Sequence, residues 1–215
     1  MAETKVKICG LKTEAALEAA IAGGADYVGL VFFPPSPRNI SPEAAGPLAA
    51  RARAHASIVA LVVDPDDALL DAVVRAADPD LLQLHGEESP KRVGEVRQRW
   101  AKPVMKAVKV ETAGDAEAAL AYRGTADLIL FDARAPNNSP LPGGNGAAFD
   151  WGALAGVKDK VPYMLSGGLT PDNVAEAIRV TGAGIVDVSS GVEVRLGEKD
   201  PELIRRFLRA AKQGA

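Results

Sequence analysis

Eight short apolar runs recur along the chain, and most are separated by stretches of helical character. They read VKIC, YVGLVF, IVALVV, LLQL, VMKAV, LILF, YMLS and IVDVS. Runs that are apolar at nearly every position, and rich in Val, Ile and Leu, are the mark of parallel strands covered on the outside by helices. Between them lie segments such as EAALEAAIA, PDNVAEAIRV and PELIRRFLRAA. In the last, Leu203, Ile204, Phe207 and Leu208 fall at helical spacing and make one apolar face.

Helix starts carry a second signal. Ser41-Pro42, Asp64-Pro65, Ser89-Pro90, Thr170-Pro171 and Asp200-Pro201 each join an N-cap residue to a proline suited to the first helical position. Asp78-Pro79 has the same form but precedes a strand. Taken as the starts of helices 2, 3, 4, 7 and 8, the five are set apart by units of about 26 residues, a length that suits one βα unit of a compact eightfold barrel. A chain of 215 residues has room for one α/β barrel or for two small domains. The repeat and the lack of a linker favour a single (β/α)8 TIM barrel over residues 1–215. The alternative is an open doubly wound sheet. It would rarely need eight units in this length, and it would usually carry a phosphate or dinucleotide fingerprint after the first strand. CGLKTE contains no G-x-G-x-x-G.

Composition removes several classes of function. Hydrophobic residues make up 47% of the chain and charged residues 25%, with a net charge of -3. That balance argues against disorder and against nucleic acid or an anionic membrane as partner. The only cysteine, Cys9, cannot form an intrachain disulfide. MAETKVKICG has no apolar core of signal-peptide length, and YVGLVFF falls far short of the roughly 20 residues of a membrane span. The expectation is a soluble, cytoplasmic protein. No metal-ligand cluster and no cofactor fingerprint stands out.

In a barrel of this kind the active site lies at the carboxyl ends of the strands. Cys9 ends strand 1, His85 ends strand 4 and Asp132 ends strand 6. Gly167 and Gly168 follow strand 7, and Ser189, Ser190 and Gly191 follow strand 8. The last two loops occupy the usual phosphate corner, where backbone N–H groups can approach an anion. A short helix opening at Ser189 would add its positive end, with no lysine required. Either loop alone reads equally as a tight turn; both together point to a phosphate. A thiolate can take a carbon-bound proton, and a carboxylic acid can protonate a leaving oxygen. A lone cysteine also packs as buried filler, and Asp132 also suits a turn cap, so the residues alone leave both readings open. His55, in RARAHA, reads as helical surface. Asp150 before Trp151 reads as the N-cap of helix 6. The Pro/Gly/Asn-rich stretch from Asp132 to Asp150 is long for a compact domain, and such loops are commonly functional.

Seven motifs occur in order along the chain: KICGL (7–11), SPR (36–38), LQLHG (82–86), Gly143-Gly144-x-Gly146 with FDW (149–151), LSGGL (165–169), VDVSSGVE (186–193) and GEKD (197–200). Together they closely resemble the phosphoribosylanthranilate isomerase family over nearly the whole chain. The resemblance implies a TIM barrel of the ribulose-phosphate-binding type and an Amadori rearrangement in tryptophan biosynthesis. In that reaction N-(5-phosphoribosyl)anthranilate becomes 1-(2-carboxyphenylamino)-1-deoxyribulose 5-phosphate. It implies Asp132 as the general acid that protonates the ring oxygen and Cys9 as the general base that takes the C2′ proton. Arg38 would meet the anthranilate carboxylate, a task suited to bidentate guanidinium pairing. His85, Gly143 and Gly144 would line the substrate site. Gly167, Gly168, Asp187 and Ser189 would lie on the phosphate side. Asp187, a bare carboxylate, suits a substrate hydroxyl or loop orientation better than the phosphate itself. The implied partner is a small phosphorylated substrate, with no cofactor and no metal, and the chain would act as a monomer or weak homodimer.

Two features depart from the family pattern. Asn145 stands where the glycine loop usually has Ser or Thr, and the APNNSPLP lead-in is less typical. A sister barrel acting on an imidazole intermediate of histidine biosynthesis would use two aspartates, which Cys9 and the lack of half-barrel repetition argue against. A silent phosphate-binding barrel is disfavoured by the intact Cys9/Asp132 pair.

Overall fold

The computed structural model describes residues 3–134, 143, 144, 146 and 148–213. Asn145 and the lead-in at 135–142 lie outside the described residues. Eight strands run in sequence: β1 (Lys5–Cys9), β2 (Tyr27–Phe32), β3 (Ser57–Val62), β4 (Leu81–Leu84), β5 (Val104–Val110), β6 (Leu128–Ala133), β7 (Tyr163–Leu165) and β8 (Ile185–Val188). Each pairs in parallel with its neighbours in sequence, and β8 returns to β1, so the sheet closes into a barrel. Every apolar run singled out in the sequence is one of these strands.

Seven helices surround or follow them: α1 (Glu14–Ala22), α2 (Pro42–Ala52), α3 (Asp67–Ala77), α4 (Pro90–Trp100), α5 (Ala113–Glu117), α6 (Val174–Thr181) and α7 (Pro201–Gln213). A two-stranded antiparallel hairpin, β9 (Glu193–Arg195) and β10 (Glu198–Lys199), stands between β8 and α7.

Side chains alternate across each strand, and this alternation decides what the barrel encloses. On β1, Val6 and Ile8 join the large apolar layer beneath the helices, together with Leu30, Ile58, Val186 and Phe207. The opposite parity faces the barrel axis. There Val59, Leu81, Met105, Ala107, Leu130 and Met164 form a separate buried cluster. Lys7 and Cys9 share that inward parity on β1, as do Gln83 on β4, Asp132 on β6 and Asp187 on β8. The core therefore ends upward in polar groups, all at the carboxyl side.

The N-cap signals hold in three cases. Ser41 Oγ accepts the Ala44 N–H, Ser89 Oγ accepts the Arg92 N–H, and Asp200 Oδ1 accepts the Glu202 N–H at 2.7 Å. Asp64 does not cap α3. It has φ +44°, and its carboxylate accepts the Glu87 N–H at 2.8 Å, which ties it to the loop after β4. The cap is Asp66, whose Oδ1 accepts the Leu69 N–H at 2.8 Å. Thr170-Pro171 opens a turn, and α6 begins at Val174. Asp150 caps as expected, accepting from Gly152 N–H at 2.9 Å, but the helix it starts is only a 3-10 turn, Trp151–Leu154.

Asp66→Ala should therefore destabilise the barrel by about 1 kcal/mol through loss of the α3 cap. Urea unfolding should show a lower midpoint with an unchanged slope.

Candidate active site

A cleft of about 760 Å³ opens over the carboxyl ends of the strands and is lined by Cys9, Arg38, His85, Asp132, Gly143, Gly144, Gly167, Gly168, Asp187, Ser189 and Ser190 among others. Eleven of the twelve residues expected from the sequence thus meet in one place. Gly191 does not line it; it packs instead against the Leu169 carbonyl, where a side chain would have no room.

One wall comes from β4 and β6. Asp132 is the penultimate residue of β6, and its inward parity aims the carboxylate into the cleft. Oδ1 accepts the Ala133 N–H at 3.0 Å, and Oδ2 lies 3.2 Å from His85 Nε2. His85 Nδ1 faces the Gln83 side-chain amide nitrogen at 2.9 Å. With the amide in this orientation, Gln83 donates to Nδ1 and leaves the ring proton on Nε2, toward Asp132. Gly143 covers this pair: a Cβ there would stand 2.5 Å from Asp132 Oδ2 and 2.7 Å from His85 Nε2. The loop that bears His85 is tied down from beneath. Lys106 Nζ donates to Gly86 O at 2.7 Å and to Glu88 Oε2 at 2.9 Å, and Glu88 in turn accepts the Gly86 and Asp64 N–H groups.

The opposite wall comes from β1 and β8. Cys9 is 4% exposed and ends β1. Beneath it Lys7, fully buried, donates to Asp187 Oδ1 at 2.8 Å, while Asp187 Oδ2 accepts the Ser166 hydroxyl at 3.2 Å. Asp187 is therefore already committed to a cation. Burial pushes the Cys9 thiol above its ordinary pKa, against the pull of the Lys7 ammonium. Burial alone would lower Lys7, but Asp187 and Cys9 hold its pKa above the ordinary value.

A third group closes the end near β8. Arg38 donates through Nε and Nη2 to the two carboxylate oxygens of Glu193, at 2.8 and 2.9 Å, and through Nη2 to Gly144 O at 3.0 Å. Gly144 has φ +70°, and a Cβ there would meet Arg38 Nη1 at 2.5 Å. The same Glu193 accepts from Lys199 at 2.6 Å. Burial raises the Glu193 carboxyl, but Arg38, Lys199 and the Gly197 N–H outweigh it, so the group sits below its usual range. Two cations thus share one carboxylate, and among the described residues Arg38 Nη1 has no protein acceptor.

The corner expected to take an anion has a simpler form than the sequence suggests. The segment after β8 is a short helix, as expected, but of 3-10 form and only three residues long, Ser190–Val192. A lysine is present after all: Lys199 Nζ donates to Ser189 O at 2.9 Å and to its Oγ at 3.2 Å. Gly167 has φ +88°, and a Cβ there would stand 2.5 Å from Ala133 N, the group that holds Asp132. Only glycine suits that conformation and that approach.

Sequence reading passed over Lys7, Gln83, Ser166, Glu193 and Lys199. Lys7 and Gln83 carried a usable signal, since each is a polar residue on the inward parity of a strand. Among the described residues no group of three or more His, Cys, Asp or Glu side chains could hold a metal ion.

Known proteins are similar to this chain over nearly its whole length. A family model described as N-(5'phosphoribosyl)anthranilate (PRA) isomerase matches residues 6–210. An N-(5'-phosphoribosyl)anthranilate isomerase of Rhodopseudomonas palustris (strain BisA53) is 58% identical over 207 residues, covering 96% of this chain and 95% of its own. That of Paramagnetospirillum magneticum is 54% identical over 210 residues, covering 98% of both chains. The crystal structure of the phosphoribosyl anthranilate isomerase from Thermotoga maritima superposes with a TM-score of 0.88 at 37% identity, over 98% of this chain and 99% of its own. A phosphoribosyl anthranilate isomerase in complex with reduced 1-(o-carboxyphenylamino)-1-deoxyribulose 5-phosphate aligns with a TM-score of 0.85 at 36% identity, over 98% of this chain and 99% of its own. The sequence match over nearly the whole chain, on a barrel whose cleft joins Cys9 to Asp132, places this chain in the N-(5'-phosphoribosyl)anthranilate isomerase family.

Proposed function

We propose that the chain converts N-(5-phosphoribosyl)anthranilate into 1-(2-carboxyphenylamino)-1-deoxyribulose 5-phosphate, with Asp132 as general acid and Cys9 as general base. The observation that carries this reading is the meeting of those two side chains, from strands β6 and β1, on opposite walls of one cleft. Asp132 delivers its proton to the furanose ring oxygen. The C1′–O bond breaks, and the anthranilate nitrogen supplies electrons to form a Schiff base. Cys9, as thiolate, removes the proton from C2′ and gives an enolamine. Tautomerisation then adds a proton at C1′ and removes one from the 2′-hydroxyl, leaving the ketone. The reaction is an isomerisation, so proton transfers suffice and no redox partner is consumed.

The rest of the cleft suits a dianionic ligand. Arg38, fixed on one edge by Glu193, keeps Nη1 for the anthranilate carboxylate. Gly167, Gly168, Ser189 and Ser190 line the corner for the phosphate, where backbone N–H groups and the Ser190 hydroxyl serve as donors, with the Lys199 charge behind them. His85 bears on Asp132 and so orients the acid. Asp187, engaged by Lys7, orients its wall and has its remaining capacity for a substrate hydroxyl.

We also infer a monomer or weak homodimer working in the cytoplasm. Val180, Val194 and Leu196 are the exposed large hydrophobics among the described residues, too few for a permanent apolar interface. The free Cys9 suits a reducing compartment. Among the described residues no helix is long and apolar enough to cross a membrane.

Consumption of the fluorescent anthranilate ribotide by purified protein tests the activity directly, and no turnover would refute it. Cys9→Ser should lower turnover by about 10² to 10⁴-fold with little change in melting temperature, because a serine hydroxyl is rarely ionised near neutral pH. A destabilised but active Cys9→Ser variant would return the thiol to packing. Asp132→Asn keeps the shape and loses the transferable proton, so a loss of about the same 10² to 10⁴-fold is expected with little change in phosphate affinity. Gly168→Asp should raise KM strongly by adding a negative charge to the anion corner. Inorganic phosphate should compete with substrate at fixed ionic strength, and failure to do so would remove the anion site.

A further inference from the structure

Lys7 has no part in the chemistry above, yet it is fully buried inside the barrel. A buried ion pair adds little stability, because the loss of hydration offsets most of its attraction. Its position suggests another use. Lys7 and Cys9 lie two residues apart on β1 and face the same way. Across the β1–β2 pairing, Cys9 is opposite Gly29. A Cβ on Gly29 would stand 3.0 Å from Cys9 Sγ and 3.2 Å from Lys7 Cε, so both side chains share the space that this glycine leaves open. An ammonium has three N–H donors. Asp187 takes one, and among the described residues no other carboxylate or carbonyl takes the rest.

We propose that Lys7 is a positioning residue that favours the thiolate of Cys9 against the cost of its burial, and that Asp187 limits this effect by sharing the same ammonium. The inference rests on the reading of Cys9 as the base. Charged groups reach the thiol from three elements: Lys7 on its own strand, Asp187 on β8 and Lys199 on β10, while β2 offers only Gly29. Burial acts against the thiolate. Lys7 is the strongest opposing influence, Lys199 helps it, and Asp187 works against it. Burial wins on balance and the thiol stays above its ordinary pKa, so Lys7 sets how far the thiolate is suppressed. Too strong a pull would give a thiolate too weakly basic to take a carbon-bound proton, whereas too weak a pull would leave a thiol.

Cys9 is the only cysteine, so the ultraviolet absorbance of the thiolate, titrated against pH with Cys9→Ser as blank, reads this group without turnover. Lys7→Met should raise the titration midpoint by about one pH unit or more, and Asp187→Asn should lower it. The limb of the pH–kcat profile that reports the base should move with it in each variant. If Lys7→Met does not fold, the double variant Lys7→Met/Asp187→Asn removes both buried charges, and its midpoint should lie above that of Asp187→Asn. Folded variants with an unmoved midpoint, or a moved midpoint with an unmoved kcat profile, overturn the inference. Full turnover by Cys9→Ser would instead overturn the base assignment, so the two failures are separable.

Discussion

The parallel pairing of β1 with β8 is the contact on which the site rests. It closes the barrel and removes the last sheet edge, and its register sets Lys7 opposite Asp187 and Ile8 opposite Val188. The ion pair at the base of the thiol wall is thus a cross-strand neighbour contact between the two ends of the chain. Ser189, just past β8, donates its hydroxyl to the Cys9 carbonyl at 3.2 Å, which ties the anion corner to the strand that carries the thiol. Slipping this register by one residue would turn Lys7 and Cys9 away from Asp187 and out of the cleft. Removing one partner of such a buried pair costs about 3–5 kcal/mol, because the other charge is left buried and unpaired.

Charge is distributed around the cleft by the same logic. Lys7 and Asp187 nearly cancel on one side, and Lys106 and Glu88 nearly cancel under the loop that bears His85. Between Arg38, Lys199 and Glu193 one positive charge is left over, and it lies beside the segment after β8. A cleft whose scaffold pairs are balanced and whose binding end is positive favours an anionic ligand without needing a lysine on the glycine loop itself. The glycines then answer to space rather than to flexibility. Gly143 lies over Asp132 and His85, and Gly167 lies over the backbone that holds Asp132, so the anion corner and the acid are packed against each other.

Much of this was legible in the sequence because parallel strands buried on both faces leave an unmistakable apolar run, and eight of them at a regular spacing leave little choice of architecture. Cys9, His85 and Asp132 were legible because they interrupt that pattern at strand ends. The errors have local causes. Asp64-Pro65 has the form of a cap, but the Asp64 carboxylate is taken by the Glu87 N–H, and Asp66 caps α3 instead. Asp150 has the right cap chemistry, yet only a 3-10 turn follows it.

By itself the sequence determined the strand order and the barrel, since these follow from periodicity and spacing, and it put Cys9, His85 and Asp132 at the carboxyl face by their position at strand ends. Tertiary structure alone decided which side chains touch. Lys7 reaches Asp187 across 180 residues, and Arg38 reaches Glu193 across 155. Such partnerships depend on closure and register, quantities that belong to pairs of strands and loops distant in the chain. No local pattern encodes them, and so the cation beneath the thiol became visible only once the barrel had closed around it.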